Sequence, residues 1–238
     1  MTKNPSVALL RALIKETILE APSKPAEEDI FKGSGFSGLE GKKILILGDS
    51  HVANVYSLGK GLEKKFESQG AIVERFGWGG SAARTWLRGE PMLGNHYTLT
   101  QVSAAGPYDI AIISLGTNDA GNSEVLTKQQ KDSGLASKPL PEVRANCQTY
   151  ASQIRQVADS VNAFKVYWVG PPVITGSPNP LYSPRARELI YQFAAPLFGS
   201  RTIRSDIPVS GDGVHVTGAA QDWIDLVFNR VAAEEVVD

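Results

Sequence analysis

Sulfur chemistry is almost absent from this chain of 238 residues: Cys147 is its one cysteine. No intrachain disulfide and no cysteine-based zinc site can therefore form. Histidine is scarce too, with three in all, and their spacing fits no metal-ligand pattern. Charge of one sign is also lacking, since 24 Lys and Arg face 25 Asp and Glu for a formal net charge of −1. That balance offers no electrostatic footprint for nucleic acid or for an anionic membrane surface. No stretch approaches the roughly 20 apolar residues of a membrane span. The GxSxG elbow and the phosphate-binding loop are missing, and the glycine-rich stretch 77–85 lacks the GxGxxG spacing of a dinucleotide fingerprint. No metal and no organic cofactor is expected.

What is present falls into three parts. Residues 1–20 carry Val7, Leu10, Ile14 and Ile18 at helical spacing, which predicts an amphipathic helix over 6–20. Arg11, Lys15 and Glu16 interrupt the apolar stretch, so it reads as an uncleaved helix of a soluble chain and not as a signal peptide. Residues 21–41 are rich in Pro, Gly, Ser and acid, the composition of a linker. The globular domain is expected over 42–238. A detached apolar stripe is expected to find a partner: its own domain, a second copy in an oligomer, or a larger assembly.

Within the domain, apolar runs alternate with helical stretches. Strands are predicted at 43–48, 71–76, 108–115 and 164–170, with a short fifth starting within 201–204. Helices are predicted at 52–69, capped by Gly70, and at 142–161, 184–198 and 217–234. Residues 119–141 read as a loop insertion. Strand–helix alternation with continuous apolar strands predicts a three-layer α/β/α, flavodoxin-like fold around a mostly parallel sheet of about five strands. Ligand sites in such sheets lie beyond the carboxyl ends of the strands.

Four segments there carry chemistry. Gly48-Asp49-Ser50-His51 follows the first strand and presents a serine at a tight turn, although Asp or Ser at that place could equally cap a helix. Gly77-Trp78-Gly79-Gly80-Ser81 follows the second, where glycine N–H groups lie unobstructed or simply form a turn. Gly116-Thr117-Asn118-Asp119 follows the third; Asn118 could donate to an oxyanion or close an Asx-turn. Asp212-Gly213-Val214-His215 lies near the C-terminus. Its carboxylate and imidazole can meet on one loop, as serine–histidine chemistry requires. Of the three histidines, only His215 is expected to have such a local partner in sequence.

The content and order of these blocks, GDS, then Gly, then GxND, then DxxH, resemble the SGNH (GDSL-like) hydrolase family over essentially the whole of 42–238. Gly170-Pro171-Pro172 resembles the proline-bearing turn that often follows strand four in that family. The resemblance implies an esterase with Ser50 as nucleophile, His215 as base and Asp212 orienting it. The oxyanion donors would be the Ser50 N–H, the Gly80 N–H and the Asn118 side chain, with Gly79 competing for the glycine role. Asp49 is expected to brace the turn. His51, where many members carry leucine, resembles SGNH domains associated with sugar O-acyl transfer. The implied substrate is a small acyl ester, acetyl among them, on a small molecule or a glycan, with Trp78 and Trp86 either stacking on a sugar or packing. The competing readings are an O-acyltransferase on the same site and a non-catalytic binding or virion module that retains the fold. The N-terminal helix resembles leaders on phage-encoded proteins, which leaves the cytoplasm or a phage particle as the expected setting.

Overall fold

In the computed structural model, residues 38–54, 57–89, 97–174, 183–209 and 220–235 are described. The expected helix over 6–20 and nearly all of the linker lie outside them. The core nonetheless includes the fully buried Leu39, three positions ahead of the expected start at residue 42.

Four long strands and one short one form the central sheet: β1 (Lys43–Gly48), β2 (Ile72–Gly77), β3 (Tyr108–Ser114), β4 (Ala163–Val169) and, later in the chain, the two-residue strand Thr202–Ile203. Their order is β2-β1-β3-β4 and then the Thr202–Ile203 strand, with every neighbouring pair parallel. Side chains alternate between the two faces of a strand, and here both faces are apolar. Leu45, Leu47, Ala111, Ile113 and Trp168 pack into one core cluster. Ile44, Ile46, Ile110, Ile112 and Tyr167 pack into the other. That two-sided burial is why the strands read as unbroken apolar runs instead of alternating ones. Each such aliphatic side chain contributes about 1.5–3 kcal/mol on burial, so the sheet positions are set firmly.

Helices α1 (Ser50–Ala53), α2 (Leu58–Glu67), α3 (Ala83–Arg88), α4 (Leu99–Ala105), α5 (Thr117–Glu124), α6 (Lys128–Asp132), α7 (Leu140–Ser160), α8 (Pro184–Phe198) and α9 (Ala220–Glu235) are the described α-helices. In α7 the buried positions Val143, Cys147, Tyr150, Ala151, Ile154, Val157 and Ala158 form one stripe, the 3.6-residue pattern of a core-facing helix. Beside the main sheet, β5 (Val173–Ile174) pairs in parallel with a strand at Pro208–Val209.

Two expectations need correction. The helix expected over 52–69 is interrupted: α1 ends at Asn54, which is extended (φ −71°, ψ 145°), and α2 starts after Ser57. The Ser57 hydroxyl donates to the Asn54 carbonyl at 2.5 Å, a local bond that competes with continued helix. The supposed loop over 119–141 holds most of α5, all of α6 and the first residues of α7. Helix α5 buries Asp119, Ala120, Gly121 and Ser123, small or polar residues that give no amphipathic signal. A Thr127–Gln130 capping box starts α6, and the box, not an apolar face, is its sequence mark.

Glycines let α1 press against β2 on one side and against α2 on the other. A Cβ on Gly77 would fall 2.3 Å from the Ala53 nitrogen, and one on Gly59 would fall 2.6 Å from the Val52 carbonyl oxygen. Gly77→Ala is expected to destabilise the fold by about 1–3 kcal/mol, the range for overpacking. Gly79→Ala, whose Cβ would meet nothing within 4 Å, should change stability by less than about 0.5 kcal/mol. Urea denaturation midpoints of the two variants compare them directly.

Candidate active site

The parallel order β2-β1-β3 brings the carboxyl ends of three neighbouring strands to one edge of the sheet. Register places Gly48 opposite both Gly77 and Ser114. The segments that follow are therefore neighbours in space although up to 70 residues separate them. Backbone bonds bind them at once: Trp78 N–H donates to Gly48 O at 2.9 Å and Asp49 N–H to Ser114 O at 3.3 Å.

Ser50 is the first residue of α1 and is partly exposed. Asp49 is the N-cap, its side chain accepting the His51 N–H, so the capping reading and the nucleophile reading fall on adjacent residues and do not exclude one another. As expected, Asp49 braces the turn: it is 1% exposed. Gly79 and Gly80 are both exposed, and Gly80 has φ +74°, a left-handed conformation that favours glycine.

Asn118 lies in the first turn of α5, which Gly116 opens at φ +132°. Its Nδ2 donates to Ser81 O at 2.9 Å and lies 3.5 Å from Asp49 Oδ2. The side chain thus ties the segment after β3 to the glycine turn after β2 and faces the serine turn after β1. Asp119, fully buried, reinforces this: its Oδ1 accepts the Ala83 N–H at 2.9 Å. Its other oxygen, Oδ2, has no partner among the described residues. Burial, with the Asp49 charge adding to it, pushes the Asp119 carboxyl up to about 7, against the Ala83 N–H bond that favours the anion.

Asp212 and His215 lie outside the described residues; α9 begins five positions after His215. Among the described residues the sheet edge therefore unites Ser50, the Gly79-Gly80 turn and Asn118.

Sequence reasoning missed one pair. His51, 2% exposed, places Nδ1 3.0 Å from Asp49 Oδ1, so His215 is not alone in having an aspartate close by in sequence. The signal was an Asp and a His two positions apart at a turn, where a side chain can fold back onto its own cap. Trp78 and Trp86 also resolve. They are 5% and 1% exposed, meet edge to face with ring centroids 5.5 Å apart, and Trp86 Nε1 donates to Ser81 Oγ at 3.1 Å. Both are packing residues that support the Ser81 turn, and neither offers a face for a sugar.

Beside Thr117 lies a cavity of about 340 Å³, lined among others by Ala120, Pro171, Val173, Arg187 and Arg204. The turn after β4 forms one wall. Arg187 Nε donates to the carbonyls of Pro171 and Pro172 at 3.0 Å each, and the Tyr191 hydroxyl donates to Pro171 O at 3.0 Å. The rim is ionic: Arg204 holds Glu188 at 2.7 Å, and that guanidinium keeps the Glu188 carboxyl below its ordinary value. The opening is thus an apolar space with neutralised charges at its mouth.

No protein-family model and no curated protein matches the chain. Solved structures do. The chain is similar to a lipase/acylhydrolase from Enterococcus faecalis, with a TM-score of 0.52 and 16% identity over 82% of this chain and 96% of that one. It is similar to a carbohydrate acetylesterase family member from Sinorhizobium meliloti, with a TM-score of 0.54 and 13% identity over 83% and 100%. An extracellular lipase from Streptomyces rimosus gives a TM-score of 0.51 and 16% identity over 79% and 99%. At such identities the likeness is one of fold, and it spans nearly the whole of each of these enzymes. The expected α/β fold with its parallel five-stranded sheet is the observed one.

Proposed function

We propose, on a fold shared with acylhydrolases and an acetylesterase, that this chain is a serine esterase of the SGNH type. The observation that carries the reading is the hydrogen-bonded meeting of three motif segments at one sheet edge: Asn118 Nδ2 on Ser81 O, with Asp49 and Ser50 alongside.

In this reading Ser50 Oγ attacks the ester carbonyl carbon while His215 takes its proton, and Asp212 holds the imidazole in the required tautomer. The carbonyl π pair moves onto oxygen, which is received by the N–H groups of Ser50 and Gly80 and by the Asn118 amide. Collapse expels the alcohol oxygen, protonated by His215, and leaves an acyl-serine. Water then attacks that ester with His215 again as base, releasing the acid and the free serine. No step calls for a metal or an organic cofactor. The cavity beside Thr117 offers room for the acyl or the alcohol part. A short acyl ester, acetyl on a carbohydrate among them, is the proposed substrate class.

The test is labelling with a fluorophosphonate followed by peptide mass spectrometry. One adduct per chain on the peptide containing Ser50 is the expected result. Folded protein that stays unlabelled, or an adduct on another serine, would refute the assignment. A panel of acylated sugars, with the acyl-enzyme mass read directly, then reports which acyl group Ser50 accepts.

A further inference from the structure

Asp49 and His51 flank the nucleophile in sequence, and the mechanism above uses neither side chain. Both are almost fully buried. Asp49 Oδ1 accepts the His51 backbone N–H at 2.9 Å and faces His51 Nδ1 at 3.0 Å. An ionised carboxylate accepts and cannot donate, so the tautomer that satisfies this contact carries its proton on Nδ1. The other oxygen, Oδ2, lies 3.5 Å from Asn118 Nδ2, the outer limit of a hydrogen bond.

An amide nitrogen has two protons. One of those on Asn118 is committed to Ser81 O at 2.9 Å; the second is held loosely next to a carboxylate. We infer that His51 is a positioning residue: by donating to Oδ1 it draws the Asp49 charge away from Oδ2 and keeps the second Asn118 amide proton free to serve an oxyanion. This rests on the serine-esterase reading for the oxyanion, though not for the contacts themselves.

The physics is a competition. A buried carboxylate deprived of a donor takes one from its nearest neighbour, because an unsatisfied buried polar group is costly. For Asp49 that neighbour is Asn118 Nδ2. Bonds to an ionised acceptor are roughly twice as strong as neutral ones, so a closed Asn118–Asp49 contact would outcompete a substrate carbonyl. The His51 ring is itself braced. It meets Trp223 edge to face at 5.2 Å, and Trp223 Nε1 donates to Ser205 Oγ at 2.9 Å. Leucine at position 51 would fill space but carry no donor. Asparagine would place an N–H where the ring Nδ1–H now stands.

The experiment compares His51→Leu and His51→Asn in the full chain. It reads kcat and KM on a short-chain p-nitrophenyl ester and, independently, the NMR signals of the Asn118 side-chain amide. His51→Leu should lower kcat by on the order of tenfold to a hundredfold with KM unchanged, less than the about 10²–10³-fold of deleting an oxyanion donor outright. His51→Asn should return kcat to within about threefold of the wild type, because it restores the donor. In His51→Leu both Asn118 amide protons should be shifted and slowed in exchange. A His51→Leu variant with wild-type kcat, a correctly folded His51→Asn as slow as His51→Leu, or unmoved Asn118 signals would each overturn the inference. Should His51→Leu not fold, His51→Phe keeps the ring contact with Trp223 without the donor and carries the same expectations. If the wild type neither hydrolyses esters nor takes a fluorophosphonate, the esterase reading has failed, while the Asn118 signals still decide whether His51 governs that proton.

Discussion

Ser50→Ala is expected to lower kcat/KM on short-chain p-nitrophenyl esters by about 10⁴-fold or more, with the fold intact. The magnitude follows from the unit character of a triad, in which removal of the nucleophile alone costs nearly as much as removal of every member. The remaining oxyanion donors and bound substrate sustain only a residual rate. Stability should be nearly untouched. Ser50 is partly exposed at the first position of α1, and the cap is supplied by Asp49. Initial rates of purified wild type and variant, with matched thermal melts, check both halves. A variant that retains the wild-type rate would remove Ser50 from the mechanism altogether.

The second large effect concerns Asp119 and pH. Its carboxyl titrates near the ordinary 3.8 in the unfolded chain and near 7 in the folded protein. Below about pH 4 both states hold the proton and burial carries no ionisation cost. Between roughly 4 and 7 the unfolded chain loses the proton while the folded one keeps it, so stability falls as pH rises, and above 7 the loss is complete. With about 1.4 kcal/mol per pKa unit, the full effect is on the order of 4 kcal/mol. Asp119→Asn keeps an oxygen for the Ala83 N–H and abolishes the titration. The variant is therefore expected to gain stability relative to the wild type as pH rises from 4.5 to 8, by a few kcal/mol in total. Urea unfolding at a series of pH values measures this. A wild-type-minus-variant difference that stays constant across the range would show that Asp119 is ionised throughout.

The candidate site was legible where chemistry follows a strand. Ser50, Gly80 and Asn118 could be named because each sits just past an apolar run, at the place where open parallel sheets gather ligands. The Asp49–His51 pair escaped notice because its meaning depends on burial. On a surface, the same two residues would be a capping aspartate and a solvated imidazole. The tryptophans illustrate the same limit: Trp78 lies beside the Gly79-Gly80 turn and Trp86 follows it in sequence, yet both turn inward. Helices α5 and α6 were unreadable by periodicity because they are short and polar, and such helices are held by caps and by their neighbours more than by an apolar face.

Local chemistry written along the chain determined much by itself. Apolar runs such as 44–47 and 110–113 can satisfy both faces only inside a covered sheet, and alternation with helices makes that sheet parallel. Glycine where Ala53 must approach, and the four motif blocks in their order, belong to the same category. Tertiary structure alone decided which hydrogen bonds those motifs make with distant segments: the Asn118 amide onto Ser81 O and the Ala83 N–H onto Asp119. Backbone pattern depends on neighbours a few residues away, whereas the partner of a buried polar atom is whichever group from a distant segment arrives first within 3 Å or so. That arrival is set by how both faces of the sheet pack, which no single stretch of residues records.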